Sequence, residues 1–168
     1  MAGRRKAEDH GAAPAHRSAG LDPHGPVDVV HQGYTVLICR HDGAIEGVGR
    51  EGLWDYDTRI LSRHRILLSG EAPGLIGSGT PEPERWIAHL RVPRPGGTAE
   101  GPHLPQDALE LVVARRIGRG MAERLTLLNH SMTPAEAELR LEVDADFADV
   151  QEAGAPRRQH GWAERRWD

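Results

Sequence analysis

Apolar and polar residues alternate with a period of two along most of the middle of the chain, which is the pattern of half-buried β-strands. The segment 85–92 is the clearest case, because Trp86, Ala88 and Leu90 fall on one face and mostly cationic residues on the other. The same reading along the chain predicts roughly eight strands among nine candidate segments. The segments are 27–30, 34–40, 44–48, 58–68, 75–76, 85–92, 106–117, 121–129 and 135–143.

Turn residues between these strands predict which neighbours pair. Asp42-Gly43 tolerates the positive φ of a two-residue turn and predicts a hairpin between 34–40 and 44–48. The segment Gly118-Arg-Gly120 predicts a second hairpin, between 106–117 and 121–129.

Segment 133–143 carries two conflicting signals. Thr133-Pro134-Ala135-Glu136 has the cap, the first-turn proline and the acid that open a helix. From Ala135 to Val143, however, apolar residues alternate strictly with charged ones, which would scatter the apolar groups around a helix. We therefore favour a strand, with a helix as the competing interpretation.

Many short strands without intervening helices predict an all-β, antiparallel fold, either a sandwich or a barrel. With 168 residues, one domain is expected, spanning 27–155. Residues 1–26 have almost no branched or aromatic side chains and are expected to form a disordered tail. Residues 93–105, rich in proline and glycine, are expected to form an exposed connection. Residues 156–168 form a polar C-terminal segment with Trp162 and Trp167 among charges.

Composition excludes several functional classes. A net charge of −4 with scattered arginines argues against nucleic-acid binding. Neither an export signal nor a long apolar run is found, so a membrane partner is not expected. The single cysteine, Cys39, lies in an apolar run and is interpreted as a small buried hydrophobe in a reducing compartment, the cytoplasm.

Residues 52–63 form the densest mixture of glycine, aromatic, acidic and basic residues in the chain. We expect a loop that leads into a strand, with Gly52 supplying special backbone angles and Trp54 and Tyr56 acting as large anchors. Asp57, Thr58 and Arg59 are candidates for one hydrogen-bonded cluster. The residues alone leave open whether the cluster holds a loop, a neighbouring domain or a ligand.

Residues 144–152 form a second dense cluster, of acids around Phe147. Numbered from Asp144, an EF-hand loop would have Asp149 in the place of its turn glycine and Ala155 in the place of its bidentate glutamate, so no calcium site is predicted. No metal site, cofactor loop or nucleophile elbow is predicted elsewhere.

The two clusters resemble the signature segments of the N-terminal domain of bacterial glycogen-debranching-type enzymes. The intermediate segment Glu123-Arg-Leu-Thr-Leu-Leu-Asn129, followed by Pro134, resembles a further strand of that family. The resemblance covers about residues 30–155. It implies a β-sandwich of the supersandwich type that precedes an (α/α)6 barrel with amylo-α-1,6-glucosidase activity on branched α-glucans. That barrel is absent from these 168 residues, so we expect a truncated or split gene product whose sandwich is incomplete at its C-terminal end.

The catalytic acids of such a glycosidase belong to the barrel, so no catalytic residue is assigned in this chain. Asp55 with Asp57, or Asp144 with Asp146, would not bracket a sugar as a catalytic carboxylate pair must. We expect instead that Asp57 or Asp146 pairs with Arg59 or Arg63 and locks a loop. The structural or interdomain residues are predicted to be Gly52, Trp54, Asp57, Thr58, Arg59, Ser62, Asp144, Asp146, Phe147 and Asp149.

Three functions compete at this point. The first is an accessory domain that packs on a catalytic barrel in cis or in trans, and the second is a free-standing α-glucan-binding module. The third is an enzyme with its acids in the two clusters. Trp54 and Tyr56 are the candidate contacts to glucan, since aromatic faces suit either a sugar or a neighbouring domain.

Overall fold

The computed structural model describes residues 26–92 and 108–153, which form ten antiparallel β-strands. Within these residues there is no helix of the length and apolarity needed to cross a membrane. The strands are β1 (Val27–Gln32), β2 (Thr35–Arg40), β3 (Gly52–Asp55), β4 (Thr58–Leu61), β5 (Arg63–Leu68), β6 (Gly74–Glu82), β7 (Arg85–Arg91), β8 (Leu109–Ile117), β9 (Met121–Asn129) and β10 (Leu139–Asp144).

The strands form a sandwich of two layers, which confirms the predicted all-β antiparallel class. One layer is the sheet β6-β7-β8-β9, and the other combines the sheet β1-β2-β3-β4 with the pair β5-β10. Trp86 of β7 donates through Nε1 to Asp28 of β1 at 2.7 Å, and Glu123 of β9 meets His64 of β5 at 3.1 Å. The strands β7 and β9 therefore face β1 and β5 across the core.

Burial follows the predicted alternation most closely in β7 and β8. Trp86, Ala88 and Leu90 are buried, whereas Arg85, His89 and Arg91 on the other face are exposed. The strands β8 and β9 pair along their whole length from Ile117↔Met121 to Leu109↔Asn129, as the glycine-flanked turn predicted. The period of two was sufficient here because each strand has one face on the core and one in water.

The predicted hairpin between 34–40 and 44–48 is wrong. The Asp42-Gly43 turn forms, with Gly43 at a φ of 82° and its N–H bonded to the Arg40 carbonyl at 2.8 Å. Beyond the turn, however, Ile45 exchanges two backbone hydrogen bonds of 2.9 Å with His64. The strand β2 pairs instead with β1 and with β3, because a second turn at Gly33 gives a six-residue register with β1.

The predicted strand 58–68 is also divided. It breaks at Ser62 into β4, which pairs with β3, and β5, which pairs with β10. The expected loop before it is a strand as well, since Gly52–Asp55 is β3 and turns tightly into β4 at Tyr56 and Asp57. The signature stretch is thus a hairpin followed by a crossing from one sheet to another.

The competition at 133–143 ends in favour of a strand, but only for its second half. Residues Leu139–Asp144 form β10, and no helix is found in this part of the chain. Ala135 and Ala137 pack against the core without joining a sheet ladder. The first half is therefore an irregular segment that packs on the core through its two partly buried alanines.

The core-facing row of β10 is only half covered. Leu139, Leu141 and Val143 lie opposite Leu68, Ile66 and His64 in register, so they turn toward the same side as that buried row. Their exposed fractions are nevertheless 49%, 41% and 37%. Leu127, on the inward row of β9 at the edge of another sheet, is 46% exposed. We call these four exposed inward residues, Leu127, Leu139, Leu141 and Val143, the open row.

Several expectations lie outside the described residues. These are the disordered tail up to residue 25, the connection 93–105, and the C-terminal segment 156–168 with Trp162 and Trp167.

Candidate functional site

The two dense clusters, which the chain separates by more than eighty residues, lie side by side in the structure. The Arg59 N–H donates to the Ala148 carbonyl, and the Ser62 N–H donates to the Asp144 carbonyl, each at 2.8 Å. Thr58 also forms an isolated bridge with Asp149. Residues 144–149 therefore extend the edge of β4 and form one site with it.

Arg59 is the centre of this site. Its side chain is 4% exposed, and its Nε and one Nη donate to the two carboxylate oxygens of Asp146, with 3.0 Å from Nε to Oδ1. The other Nη points at the carbonyls of Gly47, Gly49 and Glu51, at 3.4, 3.3 and 3.2 Å. Of the four predicted pairings, the structure forms Arg59 with Asp146. One guanidinium thus fastens loop 46–51 to the acidic cluster.

Two glycines are required beside Arg59. Gly52 has a φ of 150°, and a Cβ at this position would lie 2.5 Å from the Arg59 Cδ. Gly47 has a φ of 71°, and its Cβ would lie 2.7 Å from the Ser62 carbonyl oxygen. Glycine is present at both positions because the backbone conformation and the close approach each exclude a side chain.

Trp54 is an internal anchor of the site. It is 5% exposed, its Nε1 donates to the Arg50 carbonyl at 2.9 Å, and the Arg59 guanidinium lies 5.5 Å from its ring centroid. The buried ring has no free face for a sugar, so Trp54 is no longer a candidate glucan contact. The sequence did not reveal this, because β3 is covered on both faces and shows no alternation.

The remaining predicted site residues shape the backbone around Arg59. Ser62 is 9% exposed where the chain crosses between sheets, and Phe147 adopts a φ of 51° between Asp146 and the buried Ala148. Asp149 Oδ1 accepts from the N–H groups of Gln151 and Glu152 at 2.8 and 2.7 Å. Asp57, Thr58 and Asp144 are exposed. These contacts are structural in kind, since they join backbone to side chain within the domain.

Tyr56 differs from the other members because it is exposed. Its ring stacks on that of Tyr34, with centroids 4.6 Å apart and planes at 16°. Tyr56 is 67% exposed and Tyr34 is 70% exposed. The structure thus adds Tyr34 to the predicted site, where sequence distance had hidden it.

A second polar cluster lies inside the sandwich and includes Glu123 of the third signature segment. The Arg115 side chain is fully buried, and it donates to Glu123 Oε2 at 2.7 Å and to the Gly43 carbonyl at 2.6 Å. Its other Nη lies 3.1 Å from His64 Nδ1, and its guanidinium lies 4.9 Å from the Trp86 ring centroid. His64 Nε2 in turn lies 3.1 Å from Glu123 Oε1.

These contacts assign the tautomer of His64. A guanidinium only donates, so the His64 Nδ1 accepts from Arg115 and carries no proton. The Nε2 then holds the proton and donates it to Glu123. The buried cluster is therefore one cation and one anion joined by a neutral imidazole.

Sequence reasoning missed this cluster, although the signal was present. Arg115 falls on the inward register of β8 among leucine, valine and isoleucine, and His64 and Glu123 fall on the inward registers of β5 and β9. Three polar residues on inward rows of three strands predict a buried network, because each needs a partner away from water.

The pKa of Glu123 lies below its ordinary value of 4.5. Burial is the largest single influence and raises the pKa, but the hydrogen bond from His64 and the charge of Arg115 together outweigh it. A carboxyl with a lower pKa in the folded state stabilises the fold above its unfolded pKa, and that stabilisation is lost as the pH falls.

We expect the urea midpoint to drop between pH 5 and pH 3, and to drop less in Glu123→Gln. Glu136→Gln, which changes an exposed glutamate, is the control and is expected to drop like the parent protein. An equal drop in Glu123→Gln and the parent protein would contradict the assignment.

Cys39 is buried at 0% exposure, and burial raises the pKa of its thiol to about 12. Its interpretation as a small buried hydrophobe is confirmed. Within 26–92 and 108–153, no group of three or more histidine, cysteine or acidic side chains is arranged to hold a metal.

The charged groups of the main site have a structural role. Asp146 is engaged by Arg59 and Asp149 by backbone N–H groups, so these carboxylates fix a loop. The exposed Tyr34 and Tyr56 are the part of the site that faces outward.

Comparison with known proteins gives a family match for the chain. No curated protein matches the chain. Residues 30–168 match the model of a family described as the N-terminal domain of some glycogen debranching enzymes. The match includes both clusters joined by Arg59 and the strand that carries Glu123. The chain therefore belongs to the family of N-terminal domains of glycogen debranching enzymes.

Proposed function

We propose that this chain is a non-catalytic accessory domain of a cytoplasmic glycogen-debranching-type glycoside hydrolase. It packs on a catalytic (α/α)6 barrel, in cis or in trans, and helps to shape the site where that barrel acts on branched α-glucan. Family membership supports a catalytic partner domain. The assigned carboxylates support a non-catalytic role, because Asp146 and Asp149 are used to hold the fold.

The open row is the observation that supports the packing of a partner domain on this chain. Leu127, Leu139, Leu141 and Val143 belong to inward registers, yet 37–49% of each is exposed. Among the described strands β10 pairs with β5 alone, so it forms the edge of its two-stranded sheet while its inward apolar row stays partly exposed. An apolar row at an open sandwich edge favours an apolar partner, because covering it removes that surface from water.

The test is binding of this chain to a debranching-enzyme barrel whose own N-terminal domain has been removed, measured by calorimetry. The variant Leu139→Thr/Leu141→Thr/Val143→Thr places β-branched residues, which suit a strand, along β10 but makes the row polar, and it is expected to lose binding at least tenfold. The matched control Arg140→Thr/Glu142→Thr changes the outward residues of the same strand and should bind like the parent chain.

Equal binding by the row variant and the control would remove this surface from the proposal. Release of glucose from a branched limit dextrin by the isolated chain would contradict the non-catalytic role. No binding of the parent chain to the barrel would contradict the accessory role.

A free-standing α-glucan-binding module is the second candidate. The exposed tyrosine pair favours it, because Tyr34 and Tyr56 offer aromatic faces on the surface, whereas Trp54 is enclosed.

A further inference from the structure

We infer that Tyr34 and Tyr56, with the carboxylates of Asp55 and Asp57, form a surface site that binds a neutral pyranose ring of an α-glucan. The site is distinct from the open row and from the Arg59 cluster. It gives a location and a set of contacts to the second candidate function, and it is compatible with the accessory role.

Two tight turns bring the tyrosines together. Tyr34 follows Gly33 in the turn between β1 and β2, and Tyr56 lies in the turn between β3 and β4. Since β2 and β3 pair in register at Thr35↔Asp55, both turns lie at the same end of one sheet. The Tyr56 N–H donates to the Tyr34 carbonyl at 3.1 Å, which fixes the two turns to each other.

The backbone holds Tyr56 in a conformation that aromatic residues seldom adopt. Its φ is 52°, in the left-handed region where glycine and asparagine are the usual residues. Such a conformation costs free energy and is concentrated at binding and active sites. Asparagine or glycine would form a turn at this position with less conformational strain, so the presence of a tyrosine ring needs an explanation of its own.

A purely structural role in stacking on each other does not explain why both tyrosine side chains are left so exposed. Each ring uses one face on the other at a centroid distance of 4.6 Å, and about two thirds of each residue remains in water. A residue that served only to fasten the turns would be expected to bury its ring. Because the rings are stacked, their free faces point to opposite sides of the pair. The outer face of Tyr56, with Tyr34 behind it, is an exposed aromatic surface that suits a flat partner at little cost in side-chain entropy.

The polar neighbours identify the class of ligand. Asp55 is exposed beside the pair and accepts from Thr35 Oγ1 at 3.1 Å, and the exposed Asp57 follows Tyr56 directly. A pyranose has a C–H face that packs on an aromatic ring and hydroxyl groups that donate to carboxylates. Nucleotides also stack on tyrosine, but two carboxylates and a net charge of −4 oppose a phosphate backbone.

Affinity electrophoresis in native gels containing soluble glycogen, followed by calorimetry with maltoheptaose, tests this site on the full chain. We expect the parent chain to be retarded and to bind maltoheptaose. Tyr56→Asn keeps a residue that tolerates the positive φ but removes the ring, and Tyr34→Ala removes the other ring. Each is expected to weaken binding at least tenfold, whereas Tyr34→Phe and Tyr56→Phe retain it.

Ile76→Ala is the matched control, because Ile76 is an exposed apolar residue, at 63%, on strand β6 of another sheet. A parent chain that is not retarded would overturn the inference, as would retardation that survives both ring deletions. Binding lost in 0.5 M NaCl would also overturn it, because contact with a neutral sugar is insensitive to screening. Binding to the catalytic barrel is a separate readout, so failure here leaves the accessory role standing.

Discussion

Replacing Arg115 with methionine is expected to destabilise the protein by about 3–5 kcal/mol, since removing one partner leaves a charge buried without compensation. Glu123 would lose its strongest donor, and His64 Nδ1 and the Gly43 carbonyl would lose theirs. Unfolding in urea, followed by tryptophan fluorescence or circular dichroism, measures the change.

The neighbouring residue supplies the control. Arg116 lies next to Arg115 in β8 but faces outward and is exposed, so Arg116→Met is expected to change the free energy of unfolding by only about 0.5 kcal/mol. The triple variant Arg115→Met/His64→Leu/Glu123→Leu removes the three polar side chains of the cluster together and should recover most of the loss. A triple variant as unstable as Arg115→Met would show that the cost lies in packing against Trp86 instead of in the unpaired charge.

Replacing Arg59 with methionine is expected to cost about 3 kcal/mol, because it leaves Asp146 without its bidentate partner and frees three loop carbonyls. Arg59→Lys keeps the charge but not the planar fork, and it is expected to lose about 2 kcal/mol. The measurement is again the free energy of unfolding in urea, with proteolysis of loop 46–51 as a local readout.

Two nearby changes act as controls for Arg59. Arg63 pairs with Glu142 at 3.1 Å but is 45% exposed, so Arg63→Met is expected to cost less than about 1 kcal/mol. Asp57→Asn alters an exposed turn residue and should be nearly neutral. In a double-mutant cycle, Arg59→Met with Asp146→Asn should cost clearly less than the sum of the two single changes. Additive costs, or an unchanged melting temperature in Arg59→Lys, would contradict the locking role of this pair.

The alternation of apolar and polar residues predicted strand burial best where a strand has one face on the core and the other in solvent. The strands β7 and β8 follow their alternation closely, and the hairpin of β8 and β9 follows the Gly118–Gly120 turn. The predicted strand pairing was wrong where a segment pairs with another segment that is far away in the sequence. Ile45 leaves the expected hairpin to bond with His64, and Ser62 breaks an apparently continuous strand so that β5 can pair with β10.

The same distinction holds for the candidate site. Residue types alone limited the partners of Arg59 to a few carboxylates, because a buried guanidinium requires an acid. Only the fold selected Asp146, 87 positions away, over the neighbouring Asp57. Trp54 and Tyr56 looked equivalent as aromatic anchors, and the structure separates them into an enclosed ring and an exposed one.

The sequence by itself determined the antiparallel β class, most inward and outward faces, and the family, because these depend on side-chain periodicity and on residues close together in the chain. Tertiary structure alone decided which strands pair, which acid Arg59 binds, and that His64, Arg115 and Glu123 meet inside the core. It also decided that Tyr34 joins Tyr56 at the surface and that the row on β10 stays half open. These features arise from contacts between segments far apart in the chain, and a period of two carries no information about which distant segment will supply the partner.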